Sequence, residues 1–201
     1  MTVRLVEVIL ASGSPRRREL LSALGWKFRV AVPCVDESPL PCEPPEALCA
    51  RLAEAKAASV RTAEAENVLI VAADTIVTVD GVTLGKPADG EDSLRMIRLL
   101  QGRTHEVMTG VAASWNGRAL RGLERTWVTF RPLDDEAARA YVETGEGMDK
   151  AGAYAIQGKG ALLVSSIEGD YFNVVGLPLC RLGAMIEELG LSLPRQWGIG
   201  A

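Results

Sequence analysis

The chain has 201 residues, 48% of them hydrophobic and 24% charged, which is ordinary for a globular protein with a substantial core. Its formal net charge of −4 argues against a broad nucleic-acid-binding surface, because such surfaces are positively charged. Its apolar runs fall short of the about 18 residues of a membrane span, and the opening segment is too short and too charged for a signal peptide. We therefore expect a cytoplasmic protein that binds neither nucleic acid nor membrane.

The cysteines and the single histidine do not follow the spacing of a metal site. The cysteines are Cys34, Cys42, Cys49 and Cys180, and His105 stands at the expected entrance of a strand. A zinc site is therefore not expected, and the cysteines are interpreted as free thiols. His105 is interpreted as a structural residue.

An apolar, β-branched segment over residues 3–10 predicts a buried strand that leads into a helix. Ser14, Pro15 and Gly25 are typical of the N-cap, the first residue and the end of that helix. Three consecutive arginines at 16–18 occupy its first turn, where each cation costs about 0.3–1 kcal/mol against the helix dipole. A bound anion such as phosphate would explain this arrangement.

Helical geometry distinguishes the three arginines from one another. Arg16 and Arg17 are expected to point toward a ligand cleft, because they share stripes with apolar residues of the same helix. Arg18 is expected to point to solvent.

The rest of the chain alternates between strand and helix patterns. In chain order we predict a strand at 28–32, a proline-rich irregular loop at 33–45, a helix from 46 to about 65, and apolar strand segments at 68–73 and 76–79. A hairpin turn at Asp80-Gly81 follows, then a helix at 92–100, a hairpin of 107–115 and 118–130 around Asn116-Gly117, and a helix at 134–144. The remaining elements are a glycine-rich segment at 145–160, strands at 161–167 and 173–175, and a helix at 178–189. This order predicts an α/β protein with a mixed sheet and, since no long linker is evident, a single domain over residues 1–201.

Asp74 interrupts an apolar stretch, and a carboxylate there is costly to bury unless it is paired, hydrogen-bonded or coordinated. We expect it at a strand end that faces a ligand crevice. It could hold Mg²⁺ or accept a proton from water, and both roles suit phosphate chemistry. A turn-capping aspartate is the alternative.

Four other candidates carry weaker signals. Lys86 lies in a Gly-Lys-Pro loop, where phosphate contact and simple solvation are both compatible with the sequence. Lys56 on a helix and Glu37 in the proline-rich loop read, taken alone, as solvated side chains. Gln157 lies in the glycine-rich segment and could bond the edge of a base through its amide, with a flexible surface loop as the alternative.

Taken together, these segments resemble the Maf family of nucleoside triphosphate pyrophosphatases. The matching stretches follow the family order through nearly the whole chain and are 11–21, 73–75, 85–87, 102–110, 149–160 and 169–179. The resemblance implies hydrolysis of a nucleoside triphosphate to the monophosphate and pyrophosphate, with Mg²⁺ or Mn²⁺ as cofactor. It also implies an elongated α/β fold similar to that of inosine triphosphate pyrophosphatases, with a mixed sheet flanked by helices, two lobes and a central cleft, and a homodimer.

The resemblance assigns roles to individual residues. Those implied to bind phosphates are Ser12, Arg17, Lys56 and Lys86. Asp74 is implied to be the proton acceptor that activates water, and Glu37 to assist it in holding the metal.

Three further positions are implied to select the base. Arg16, Thr75 and Gln157 are similar to the branch of the family that acts on dTTP and UTP, and modified pyrimidine triphosphates are further candidate substrates. The branch that acts on 7-methyl-GTP has tryptophan, glutamine and glutamate at these positions. The alternatives are therefore a pyrophosphatase for 7-methyl-GTP or another nucleotide, and a nucleotide-binding regulator of septum formation with little turnover.

Overall fold

The computed structural model of the chain describes residues 6–60 and 67–197. Within these ranges the strands are β1 (Glu7–Ala11), β2 (Phe28–Ala31), β3 (Val68–Val79), β4 (Val82–Leu84), β5 (Thr104–Trp115), β6 (Arg118–Phe130) and β7 (Val164–Glu168). The helices are α1 (Pro15–Ala23), α2 (Pro45–Ser59), α3 (Gly90–Leu100), α4 (Asp135–Glu143), α5 (Tyr171–Val175), α6 (Leu179–Glu188) and α7 (Leu193–Gln196). Two 3₁₀ turns, Ala151–Ala153 and Gly158–Leu162, lie in the glycine-rich segment.

The described strands form a mixed sheet in the order β2-β1-β3-β5-β6-β7, with β4 paired to β3. Strand β1 runs parallel to β2 and β3, whereas β4 is antiparallel to β3 and β7 is antiparallel to β6. The α/β fold with a mixed sheet that the sequence predicts is therefore confirmed.

The chain divides into two compact units, and the division passes through β3, β5 and β6. Unit 1 holds the described residues of 6–74 together with 109–124 and 176–197. Unit 2 holds 75–108 and 125–175. Neither unit has a helix, within the described ranges, that is long and apolar enough to cross a membrane.

Unit 1 is built around close packing of α2 on β1 and β3. Five of the packed residues are alanines, whose short side chains let the backbone of a helix approach a sheet closely. The buried cluster consists of Ile9, Ala11, Ala53, Ala57, Val68, Ile70, Ala72 and Ala112. This packing fixes α2 next to β3, where Asp74 lies.

Unit 2 contains a buried aromatic group around His105. The His105 ring lies 5.0 Å from that of Phe130 and 5.3 Å from that of Tyr154, in edge-to-face geometry, and its Nε2 is 2.8 Å from the Tyr154 hydroxyl. Burial lowers the pKa of His105 to about 4, so that the ring is neutral at pH 7. These contacts agree with the structural role expected for this histidine.

Most of the predicted elements are confirmed to within a few residues. Helix α1 begins at Pro15 after the extended Ser14, and Gly25 follows its end with φ +72°. Both predicted hairpin turns occur where Asp80-Gly81 and Asn116-Gly117 adopt positive φ. Parts of the predicted strand at 3–10 and helix at 46–65 lie outside the described residues.

Three predictions from the sequence are wrong. Asp74 does not end a strand, since β3 continues through it from Val68 to Val79. Residues 173–175 form the end of helix α5, because the Asn173 amide is buried and donates to the Val107 carbonyl and the Thr126 hydroxyl. The predicted strand at 161–167 begins only at Val164, after a 3₁₀ turn. At 173–175 tertiary contacts of Asn173 override the local preference of the two following valines for a strand.

Candidate active site

Arg17 is held in place by the turn that links β1 to α1 and by the residue that follows α5. Its Nη1 donates to the Ser12 hydroxyl at 3.3 Å, and its Nε donates to the carbonyl of Gly176 at 2.7 Å. The backbone N–H of Ser14 donates to the same hydroxyl at 3.1 Å, and Ser12 is buried. The predicted phosphate-binding residues Ser12 and Arg17 therefore lie in contact, whereas no pattern in the sequence indicates the Gly176 carbonyl as a partner.

The arginine run has the exposure that helical geometry predicts. Arg16 and Arg17 are half-buried, and Arg18 is exposed. Burial lowers the pKa of Arg17, and the negative charge of Asp74 opposes that effect. Arginine remains cationic under such a shift, so Arg17 supplies a fixed positive charge near Asp74.

Lys56 joins two carboxylates in unit 1. Its Nζ lies 2.6 Å from Asp74 Oδ1 and 2.7 Å from Glu37 Oε1. Helix α2 supplies Lys56, strand β3 supplies Asp74, and the loop after β2 supplies Glu37. Three of the predicted site residues thus form one hydrogen-bonded group.

Lys56 and Glu37 differ in how far they are buried. Lys56 has a relative exposure of only 7%, so its interpretation as a solvated helix lysine is wrong. Burying an ammonium group is costly unless a carboxylate neutralises it, and Asp74, with a relative exposure of 8%, does so. The side chain of Glu37 is 55% exposed and can therefore adjust when a ligand arrives.

Cys49 is a buried neighbour of Asp74 that the sequence did not single out. Its thiol donates to the Asp74 carbonyl at 3.0 Å and accepts from the Gly110 N–H at 2.8 Å. Burial raises the pKa of Cys49 to about 12, with Asp74 adding to the shift, so the thiol stays protonated. The signal available in the sequence was the spacing of seven residues from Lys56, which places both on one face of α2.

Unit 2 holds the remaining predicted residues. Thr75 is half-buried on β3, Lys86 is exposed in the loop after β4, and Gln157 is half-buried just before the second 3₁₀ turn. The N–H of Gly152 donates to the carbonyl of Gly85 at 3.0 Å. The loop that carries Lys86 is therefore bonded to the glycine-rich segment that carries Gln157.

The carboxylates of Glu37 and Asp74 fit a hard divalent cation. Both already contact a single cationic atom, Lys56 Nζ, so their oxygens converge on one point. Mg²⁺ is commonly held by one or two carboxylates, with substrate phosphates and water completing its shell. Within the described residues no group of three or more histidine, cysteine, aspartate or glutamate side chains is placed to hold a metal.

Comparison with known proteins places the chain in a family. The family described as Maf-like protein matches residues 7–189. A dTTP/UTP pyrophosphatase of Symbiobacterium thermophilum is 52% identical over 187 residues, which cover 93% of this chain and 96% of that protein. A dTTP/UTP pyrophosphatase of Moorella thermoacetica is 48% identical over 194 residues, which cover 96% of this chain and 98% of that protein. The solved Ham1 protein of Staphylococcus aureus matches with a TM-score of 0.45 and 13% identity, covering 62% of this chain and 71% of that one. The extent of the family match and the identity to these relatives show that the chain belongs to the Maf-like protein family.

Proposed function

We propose that this protein is a nucleoside triphosphate pyrophosphatase that hydrolyses dTTP and UTP to the monophosphate and pyrophosphate. The observation that carries the proposal is the 52% identity to a protein named dTTP/UTP pyrophosphatase, over more than nine tenths of both chains. The geometry of unit 1 supports the same chemistry, because it sets two cations beside a buried carboxylate.

Arg17, Lys56 and Ser12 are proposed to hold the phosphates. A guanidinium can form paired hydrogen bonds to phosphate oxygens, and a buried ammonium adds a point charge. Arg17 needs little rearrangement for this role, since Ser12 and Gly176 already orient it. Lys86 in unit 2 is exposed, and we propose it as a further phosphate contact.

Asp74 is proposed to accept the proton of the attacking water. The water oxygen forms a bond to the α-phosphorus, its proton passes to the Asp74 carboxylate, and the bond to the bridging oxygen breaks to release pyrophosphate. Lys56 holds Asp74 Oδ1 at 2.6 Å, so that the carboxylate keeps one orientation. Positioning and charge account for most of the rate enhancement in such reactions.

Glu37 and Asp74 are proposed to hold Mg²⁺ or Mn²⁺. When bound, the metal would neutralise phosphate charge and orient the triphosphate. To accommodate the metal, Glu37 and Asp74 would give up part of their contact with Lys56.

Arg16, Thr75 and Gln157 are proposed to select the pyrimidine base. The amide of Gln157 carries both a donor and an acceptor, and the edge of uracil or thymine offers the complementary pair. A glutamate could accept from a guanine edge but could not donate to a carbonyl, which separates this chain from the 7-methyl-GTP branch.

The test is release of pyrophosphate from a panel of nucleotides with Mg²⁺ and with Mn²⁺. We expect kcat/KM for dTTP and UTP to exceed that for GTP, ATP and 7-methyl-GTP by about tenfold or more, with pyrophosphate and not orthophosphate as product. A preference for 7-methyl-GTP would move the protein to the other branch. Tight nucleotide binding without turnover would favour the regulator of septum formation.

A further inference from the structure

We propose that Glu146 and Tyr141 are positioning residues that hold Gln157 in the orientation needed to read the base. The inference rests on the proposed function, in which Gln157 contacts the pyrimidine. All three residues belong to unit 2.

The Glu146 carboxylate binds the backbone that immediately follows Gln157. Its Oε1 accepts from the Lys159 N–H at 3.0 Å, and its Oε2 accepts from the Gly160 N–H at 2.8 Å. These amides open the 3₁₀ turn Gly158–Leu162, for which Gln157 is the capping residue. A side chain 11 residues earlier in the sequence thus fixes the chain direction directly after Gln157.

Tyr141 binds the backbone on the other side of Gln157. Its hydroxyl accepts from the Ala155 N–H at 3.1 Å and also hydrogen-bonds the Glu146 carboxylate. Tyr141 lies on α4 and is buried, with a relative exposure of 6%. A phenol hydroxyl can donate one hydrogen bond while it accepts another. The Tyr141 hydroxyl therefore bonds one end of the segment 155–160 directly, at Ala155, and the other end through Glu146.

The backbone of this segment is shaped to approach Glu146 closely. Gly158 has φ +65°, and a Cβ on it would stand 2.3 Å from Glu146 Oε1. A Cβ on Gly160 would stand 2.0 Å from the Ala155 carbonyl oxygen. Glycine at 158 therefore leaves room for the Glu146 carboxylate, and glycine at 160 lets the chain fold back closely on Ala155.

The charge state of Glu146 agrees with this role. Partial burial acts to raise the pKa of Glu146, but the amides of Lys159 and Gly160, the Tyr141 hydroxyl and the charge of Lys150 outweigh it and lower the pKa overall. The side chain is thus an anion at neutral pH, and an anion accepts stronger hydrogen bonds from amides than a neutral oxygen does.

Loss of the carboxylate would leave Gln157 on a segment with more than one accessible conformation. The expected consequence is poorer recognition of the base, because hydrogen bonds to a base edge depend on orientation. In the proposed function Gln157 contacts the base and takes no part in the reaction at the α-phosphorus. The predicted signature is therefore a change in nucleotide preference and KM with a smaller change in kcat.

The experiment compares Glu146→Ala, Tyr141→Phe and Gln157→Ala, with Glu143→Ala as the control. Glu143 is an exposed glutamate at the end of the same helix α4. For each protein, kcat and KM are measured with UTP and with GTP, and the melting temperature is recorded. We expect Glu146→Ala to lower kcat/KM for UTP about tenfold, mainly through KM, and to lower that for GTP much less.

A double variant makes the test specific. If Glu146 acts through Gln157, then Glu146→Ala combined with Gln157→Ala should show no more loss of UTP preference than Gln157→Ala alone. Tyr141→Phe should lower the UTP preference in the same direction. Glu146→Gln, which keeps one acceptor oxygen, should recover about half of the lost preference. Glu143→Ala should behave as the wild-type protein.

Two results would overturn the inference while leaving the proposed function intact. One is an unchanged UTP preference in Glu146→Ala when Gln157→Ala has lost it. The other is an equal loss of activity on UTP and GTP together with a lower melting temperature, which would mark a purely structural residue. A wild-type protein without preference for UTP over GTP would contradict the proposed function itself, and that result is seen before any variant is compared.

Discussion

At the scale of single residues, the site depends on how buried charges find partners. Lys56 and Asp74 are each less than a tenth exposed, and their contact at 2.6 Å removes most of the cost of burying either one. Glu37 adds a second carboxylate from a more exposed position. The contact with Lys56 that stabilises the pair also holds Asp74, the proposed catalytic base, in one orientation.

Asp74→Asn should abolish turnover while leaving most nucleotide binding in place. Asparagine keeps the shape of the side chain but cannot accept a proton from water, so we expect kcat to fall by a factor of about 100 to 10,000. Binding of dTTP should change much less, as measured by calorimetric titration. Asp80→Asn, at an exposed turn with φ +49°, is the matched control because asparagine tolerates this conformation. Near-normal turnover of Asp74→Asn would remove this residue from the mechanism.

His105 makes folding stability depend on pH in a predictable direction. Its pKa in the folded protein is about 4, below the ordinary value of 6.5, so the unfolded chain binds the proton more tightly. The stability that the neutral ring contributes is present above pH 6.5 and is lost as the pH falls toward 4. Between pH 7 and pH 5 this amounts to about 2 kcal/mol.

The measurement is urea unfolding of the wild-type protein and of His105→Gln at both pH values. The variant lacks this titration, so the wild-type protein should lose about 2 kcal/mol more than the variant on acidification. All other titrating groups are common to both proteins and cancel in the comparison. An equal loss in the two proteins would show that His105 does not titrate abnormally.

At the scale of secondary-structure elements, the contact of α2 with β5 is as close as the backbone allows. A Cβ on Gly110 of β5 would stand 2.4 Å from the carbonyl oxygen of Cys49 and 3.0 Å from the Cα of Ala50, both on α2. The Gly110 N–H also donates to the Cys49 thiol, which bonds Asp74. The distance between α2 and β5 therefore affects the position of Asp74, the proposed catalytic base.

Gly110→Ala should destabilise the protein by about 3 kcal/mol, because the contacted atoms belong to the backbone of α2 and cannot rotate away. The control is Gly90→Ala at the start of α3, where the added Cβ would have no heavy atom of the described residues within 4 Å apart from its chain neighbours and the backbone of its own helix. Its effect should stay within about 1 kcal/mol. Both are measured by urea unfolding at pH 7. A Gly110→Ala protein as stable as Gly90→Ala would show that α2 and β5 can separate at little cost.

At the scale of the whole molecule, the thiols report on how the chain is folded. Cys34, Cys42 and Cys180 are exposed, whereas Cys49 is buried with its pKa raised to about 12. A thiol that is both buried and protonated reacts slowly, since the thiolate is the nucleophile.

We therefore expect three thiols of the native protein to react rapidly with Ellman's reagent and the fourth to react only on unfolding. Cys49→Ala should leave the rapid phase unchanged and remove the slow one. Four rapidly reacting thiols in the native protein would contradict the burial of Cys49.

The homodimer expected from the family resemblance stays a prediction. Light scattering of the purified protein tests it directly. The division into two lobes around a cleft also stays a prediction. A structure with bound nucleotide is the measurement that tests it.

Features that depend on neighbouring residues could be predicted from the sequence alone. Ser14 and Pro15 predict the start of α1, and Asp80-Gly81 and Asn116-Gly117 predict the two hairpin turns, because each feature rests on the local φ and ψ preferences of the residues present. Family membership also followed from the sequence, since the matching motifs occur in order along the chain.

Which of the candidate residues contact one another depends on tertiary packing and could not be predicted from local patterns. From the sequence, Lys56 is interpreted as a solvated lysine. In the structure α2 packs on β3, and Lys56 contacts Asp74, which lies 18 residues later in the chain. One partner of Arg17 is a carbonyl 159 residues away, and Glu146 reaches its amides across 13 and 14 residues. The strand predicted at 173–175 is a helix in the structure, because the buried hydrogen bonds of Asn173 favour that conformation. Such contacts depend on the packing of distant segments, which a local pattern does not contain.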